Sequence, residues 1–212
     1  MSPSILSYPT SIFLTSSIIV VLISTSISPV QCSQPSPPVP RLIQRACSNA
    51  SITINTELCL RVLPTIPKVV AARDSFHLTT AIIESGISNA SATLRYIEAL
   101  LYEGGDSVDS DLGSGEYNAV AQCKWSFVDI ISRFSKAVKE IRRHNYEFKA
   151  TSYQLQAAST DYVRTCATGL AEVKFDDQVL LTGLNVVPIF GISAISIIRD
   201  LHNHDSTHRV EA

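Results

Sequence analysis

The chain has no charged side chain at its start: no Lys, Arg, Asp or Glu appears before Arg41. Within that segment residues 12–23 form an apolar run interrupted by Thr15, Ser16 and Ser17, too short to span a bilayer comfortably. The run has the length of a secretory signal core, and small or polar residues follow at 24–28. The customary positive n-region is also missing, so only the amino terminus supplies charge. Residues 1–32 are therefore expected to be a cleaved signal peptide. An uncleaved anchor or a disordered tail is the alternative.

Basic clusters are lacking too. Net charge is −2 at pH 7, and no run of Lys and Arg makes a face for phosphate contacts, which argues against nucleic acid. Catalytic motifs are equally scarce. There is no nucleophile elbow, no His/Glu pair at metal-ligating spacing on a helix and no phosphate-binding glycine loop. His77 and His144 stand alone on helical stretches and read as surface residues. His202, His204 and His208 fall in a polar tail, 202–212, with no Cys or carboxylate constellation beside them. No metal or other cofactor is expected. Residues 106–115, DSVDSDLGSG, hold several Asp, but Gly113 falls where a calcium loop needs a liganding side chain. They read as a solvated loop whose Asp or Ser caps the next helix.

Cysteine is what the chain does have, five times. Cleavage after Cys32 leaves Cys47, Cys59, Cys123 and Cys166, an even set that reads as two disulfides in an oxidising compartment. Cleavage after Ser28 leaves Cys32 free as well. Sequence alone permits every pairing of the set. The favoured one joins Cys47 to Cys59, a local loop, and Cys123 to Cys166, each on the apolar seam of a helix.

Those seams organise the chain. Val120, Cys123, Phe127, Ile131, Phe134, Val138 and Ile141 recur in steps of three and four, as do Leu155, Ala158, Tyr162, Cys166, Leu170 and Val173. Residues 117–173 are thus two facing helices, with the charged segment 142–149 as the turn. A third long helix is expected to open at Pro67 and to carry Ile83, Ile87, Ala90, Leu94, Ile97 and Leu101 on its seam. Gly104 and Gly105 end it. The fourth carries Phe175, Val179, Val186 or Val187 and the later isoleucines, with Pro188 and Gly191 expected to bend or split it. Residues 178–198 hold no charge, so a C-terminal membrane anchor is the alternative to a buried helix. Ahead of these elements lie a stiff Pro-rich linker, 33–40, and a compact piece around Cys47 and Cys59, stopped by Pro64 and Pro67. The expected fold is all-α. It is an up-and-down four-helix bundle, 41–201, with a short disulfide-closed N-terminal helical hairpin. Asn49-Ala50-Ser51 and Asn89-Ala90-Ser91 are glycosylation sequons, usable if the chain enters the secretory path.

This arrangement resembles the plant invertase/pectin methylesterase inhibitor family. The residues that carry the resemblance are Leu42-Ile43 before Cys47, the Cys47/Cys59 pair, Ala81-Ile82-Ile83 with Ala90, Cys123 ahead of Phe127-Val128, and Gln156-Ala157-Ala158 leading to Thr165-Cys166. The hairpin loop is longer than is usual in the family, and Val187-Pro188-Ile189 replaces its Ala- and Leu-rich ending. The resemblance implies a secreted, non-enzymatic inhibitor in the apoplast or cell wall that covers the substrate cleft of a carbohydrate-active enzyme. Invertase inhibitors carry a Pro-Lys-Phe turn between the disulfide-linked helices. Here that turn reads Tyr146-Glu147-Phe148-Lys149, so pectin methylesterase is the preferred target and acid invertase the alternative. Thr165 is the polar residue nominated for the partner-facing side. Tyr96, Glu98, Arg133 and Lys136 read as an ordinary solvated face. An extracellular or membrane-tethered bundle without inhibitory activity is the reading from a different class.

Overall fold

A computed structural model describes residues 40–50, 54–105, 112–143 and 147–210. The expected signal peptide, nearly all of the linker, acidic loop residues 106–111 and His144 lie outside the described residues, as do the side chains of His204 and His208. Among the described residues there is no strand. The all-α bundle expected from the seams is the fold.

The hairpin is α1 (Arg41–Asn49) and α2 (Thr56–Val62), joined by the Cys47–Cys59 disulfide with Cα atoms 5.7 Å apart. Asn55 caps α2 by accepting from the Leu58 N–H. A short 3-10 turn, Leu63–Thr65, and α3 (Pro67–Val70) follow, each with a proline in its first turn, where the missing N–H costs nothing. The hairpin does not stand on its own core. It lies along the last helix, where Cys59 Sγ sits 3.3 Å from Ser193 Oγ and Asn49 Nδ2 donates to Asp200 at 2.9 Å.

The first long helix starts later than expected. Pro67 opens only the single turn of α3, and α4 begins at Ser75 and ends at Gly105. Asp74 explains the restart: one carboxylate oxygen accepts the His77 N–H at 2.8 Å, and the other pairs with His77 Nδ1 at 2.7 Å. These hydrogen bonds, the backbone one first, hold the Asp74 carboxyl below its ordinary value of 3.8. The seam of α4 is also rotated from the expected stripe. Ile83, Ala90 and Ile97 are buried as expected, whereas Ile87, Leu94 and Leu101 are half-buried, and Thr79, Ile82, Gly86 and Thr93 face inward instead. Gly86 is the reason. A Cβ there would lie 2.8 Å from Phe134 Cε2 and 2.9 Å from Phe190 Cβ, so α4 meets its neighbours through this glycine.

Helix α5 (Ser114–Ile141) buries Val120, Cys123, Phe127, Phe134, Val138 and Ile141 as read, with Ile130 fully buried in place of half-buried Ile131. Its N-cap is Gly113 rather than an Asp or Ser; Glu116 reaches back to accept the Gly113 N–H at 2.9 Å. The next long element is compound. It comprises α6 (Phe148–Gln156), a π segment (Ala157–Asp161) and α7 (Tyr162–Glu172). Phe148 and Lys149 belong to α6, so the turn before it is shorter than expected.

Lys174 closes α7 with φ 56°. The Phe175 N–H reaches the Leu170 carbonyl and the Lys174 N–H reaches that of Ala171, the pattern of a helix stop in which glycine is the favoured residue. Left-handed backbone costs a non-glycine residue about 1–2 kcal/mol, and glycine gives back roughly 0.4–1 kcal/mol of that through its freer unfolded chain. Lys174→Gly is therefore expected to stabilise the protein by about 0.5–1 kcal/mol, read as an upward shift of the denaturant midpoint.

Helix α8 runs from Gln178 to Val210, through Pro188 and past the expected boundary at Leu201. Asp177 fixes its start: Oδ1 accepts the Leu180 N–H, and Oδ2 accepts the Tyr96 hydroxyl at 2.7 Å, tying α8 to α4. Val179 is exposed and Leu180, Leu184 and Val187 form the inner seam, a correction to the expected stripe. Pro188 neither ends nor splits the helix. The segment after it is surrounded, and every residue from Ile189 to Ile198 is buried. Gln178–Asn203 is long and apolar enough to cross a membrane, but 72% of its most apolar stretch is covered by the bundle. That surface is already committed to the core.

Gly191 lets α8 approach the π segment. A Cβ there would fall on Ser159 Oγ, 3.0 Å from Ser159 Cβ and 3.1 Å from the Leu155 carbonyl oxygen. Rotating the Ser159 hydroxyl does not relieve the last two contacts. Ala in place of Gly gains about 1 kcal/mol of helix propensity, while overpacking costs about 1–3 kcal/mol or more. Gly191→Ala is expected to be net destabilising by about 1–2 kcal/mol. Chemical denaturation checks the sign: a more stable variant would mean the helices separate freely here.

Candidate partner-binding face

The Cys123–Cys166 disulfide holds α5 and α7 with Cα atoms 4.5 Å apart, and both cysteines are fully buried. Gly169, one turn along from Cys166, is buried on the same side of α7; a Cβ there would lie 2.6 Å from Gln122 Oε1, the end of an exposed side chain that can move aside. Tyr162, Thr165 and Gly169 share one stripe of α7 by helical spacing, so Thr165 borders the α5–α7 groove. Thr165 is exposed, and its hydroxyl donates to the Asp161 carbonyl at 2.9 Å. Toward a partner it therefore offers a methyl group and hydroxyl lone pairs rather than a free donor.

Arg133 is not part of an ordinary solvated face. Its guanidinium donates to Gln154 Oε1 at 2.9 Å and to the Tyr162 hydroxyl at 3.2 Å. It also lies 5.7 Å from the Tyr153 ring centre and 5.8 Å from that of Tyr162. The hydrogen bond to Tyr162 raises its pKa further, so its charge is permanent. The clamp joins α5 to α6 and α7 and holds two aromatic rings at the surface. Of the other residues read as solvated, Tyr96 is tied to Asp177 and Glu98 pairs with Lys124 at 3.3 Å, while Lys136 is exposed.

The outer side of α5 carries an apolar stripe. Tyr117, Trp125 and Val128 are exposed, Trp125 by 67%, and their spacing places them on one side of the helix. Trp125 was the signal available in the sequence: it falls two residues after Cys123, out of phase with a seam that has no need of it. Tyr153, also exposed, adds a second large ring. The sequons differ in setting. Asn49 is exposed at the end of α1, whereas Asn89 is half-buried between α4 and α8, with its Oδ1 enclosed and unpartnered. His202 stacks on Phe148 at 4.7 Å. Among the described residues no cluster of His, Cys, Asp and Glu has the makings of a metal site.

A helical bundle braced by two disulfides, with aromatic rings held outward on its crosslinked helix pair, has the build of a rigid binding module. The chain belongs to the plant invertase/pectin methylesterase inhibitor family, whose profile matches residues 41–189. Among solved structures it is similar to a mutant form of a pectin methylesterase inhibitor from Arabidopsis, at 16% identity and TM-score 0.60, over 73% of this chain and 95% of that one. It is also similar to a pectin methylesterase inhibitor from Arabidopsis thaliana, at 16% identity and TM-score 0.52, over 73% and 93% of the two chains. These likenesses concern the fold. Comparison with curated proteins finds no match. Family membership supports an inhibitory rather than an enzymatic role.

Proposed function

We propose that the protein is a secreted inhibitor of pectin methylesterase that docks through the α5–α7 face and covers the enzyme's substrate cleft. Family membership supports the inhibitory role, and the exposure of Trp125 on α5, the helix that also carries the Arg133 clamp, is the observation that carries the choice of face. Trp, Tyr and Arg are the residues that dominate binding energy at protein interfaces. Here they stand on helices that a disulfide has already fixed, so little conformational freedom is lost on docking. Thr165 lies at the rim of this face. A helix surface fills a polysaccharide groove without presenting a bond the enzyme can cleave.

The reading includes removal of residues 1–32 as a signal peptide, 33–40 as a spacer and an apoplastic location. Of the two sequons, Asn49 is the more exposed, and a glycan on its Nδ2 would replace the hydrogen bond to Asp200. Titrating the disulfide-intact protein against a pectin methylesterase and an acid invertase tests the function. Stoichiometric loss of the esterase activity alone is expected. Loss of the invertase activity instead reassigns the target, and loss of neither removes the inhibitor reading for those enzymes.

A further inference from the structure

Cations scattered through the sequence converge where α3, the start of α4 and the end of α5 meet. Lys68, Arg73 and Arg142 line an open cleft of about 540 Å³, with Phe76, His77 and Glu84. Glu84 is the one carboxylate in its wall, and it is shared: Lys68 approaches it at 3.7 Å and Arg142 donates to it. Arg73 is exposed and has no carboxylate partner among the described residues. At the rim, Asp74 is occupied with capping α4 and pairing with His77. The cleft walls therefore carry surplus positive charge even with His77 neutral. Phe76, 40% exposed, presents an apolar ring at the same mouth, edge-on to His77.

We propose that this cleft is a second binding site, for de-esterified pectin: a chain of galacturonate units. Each unit offers a carboxylate for a guanidinium or ammonium group and an apolar ring face for Phe76. Methyl-esterified pectin has the same rings without the charge, so the site distinguishes the two polymers. The cleft volume suits a short stretch of sugars. Arg142 lies about 25 Å along α5 from Trp125, so polymer and enzyme bind at the same time. The inhibitor is thereby held at the carboxylate-rich polymer that its target enzyme produces. The charge of the cleft is independent of the pectin methylesterase reading, but the choice of a polyuronate over other polyanions rests on it.

The test is retention of the intact secreted protein on immobilised polygalacturonate, on fully methyl-esterified pectin and on phosphatidylserine vesicles. Binding to polygalacturonate alone is expected. Arg73→Glu and Phe76→Ala each weaken it by roughly tenfold. Arg95→Glu makes the same change in net charge at an exposed position far along α4 and weakens binding by less than about threefold. Inhibition of the esterase is unchanged in Arg73→Glu. Equal binding to the methyl-esterified polymer, equal losses in Arg73→Glu and Arg95→Glu, or binding to vesicles without polygalacturonate overturns the site. Binding to polygalacturonate by a protein that inhibits no esterase leaves the cleft standing and removes the function proposed above. Inhibition without polymer binding does the reverse.

Discussion

Replacing Cys123 and Cys166 together with alanine is expected to lower the unfolding free energy by about 4 kcal/mol. The disulfide spans 43 residues of sequence, and releasing a loop of that length frees a large set of unfolded conformations. Cys47–Cys59 spans 12, so the same reasoning gives about 3 kcal/mol there. The order of the two effects is thus set by loop length. Packing acts in the same direction. Cys123 and Cys166 are fully buried between the two helices, and truncating both sulfurs leaves a small void. Domains of this size are stable by about 5–15 kcal/mol, so the double variant loses a large share of its margin. Urea unfolding of the oxidised protein and of both double variants is the measurement. A Cys123/Cys166 variant within about 1 kcal/mol of the parent would mean that the apolar seams alone hold α5 to α7.

The seams were legible because they depend on periodicity, and periodicity survives without neighbours. Cys123, Phe127, Phe134, Leu155, Cys166 and Leu170 needed only helical spacing to be placed inside. The failures share a different cause. The rotation of α4 around Gly86 depends on where Phe134 and Phe190 stand, which a local pattern does not contain. Pro188 predicts a bend or a split because its local cost is certain, whereas the burial that carries the helix through it comes from helices distant in sequence. Asp74 was a readable cap, overshadowed by the stronger signal of Pro67. Thr165 followed from the family resemblance. Arg133 became notable only once Tyr153, Gln154 and Tyr162 were beside it. The cationic cleft was invisible for the same reason, since Lys68, Arg73 and Arg142 form no run in sequence.

Trp125→Ala is expected to weaken binding to the target esterase by about 2–4 kcal/mol, roughly thirtyfold to a thousandfold. Stability should stay within about 0.5 kcal/mol of the parent, because a side chain 67% exposed contributes little to the core. That separation gives the variant its value. Arg133→Ala makes an instructive contrast, since it removes a group that spans three helical segments and props two rings. It should lower stability as well as affinity, so its binding loss alone would not assign the face. Thr165→Ala should be mild, because the hydroxyl already donates within α7 and only its rim contacts are lost. Inhibition constants for these variants against one esterase, with melting temperatures alongside, rank the face. If Trp125→Ala inhibits as well as the parent, docking takes place elsewhere on the bundle. A family member would then be showing an exposed tryptophan for a reason other than the enzyme.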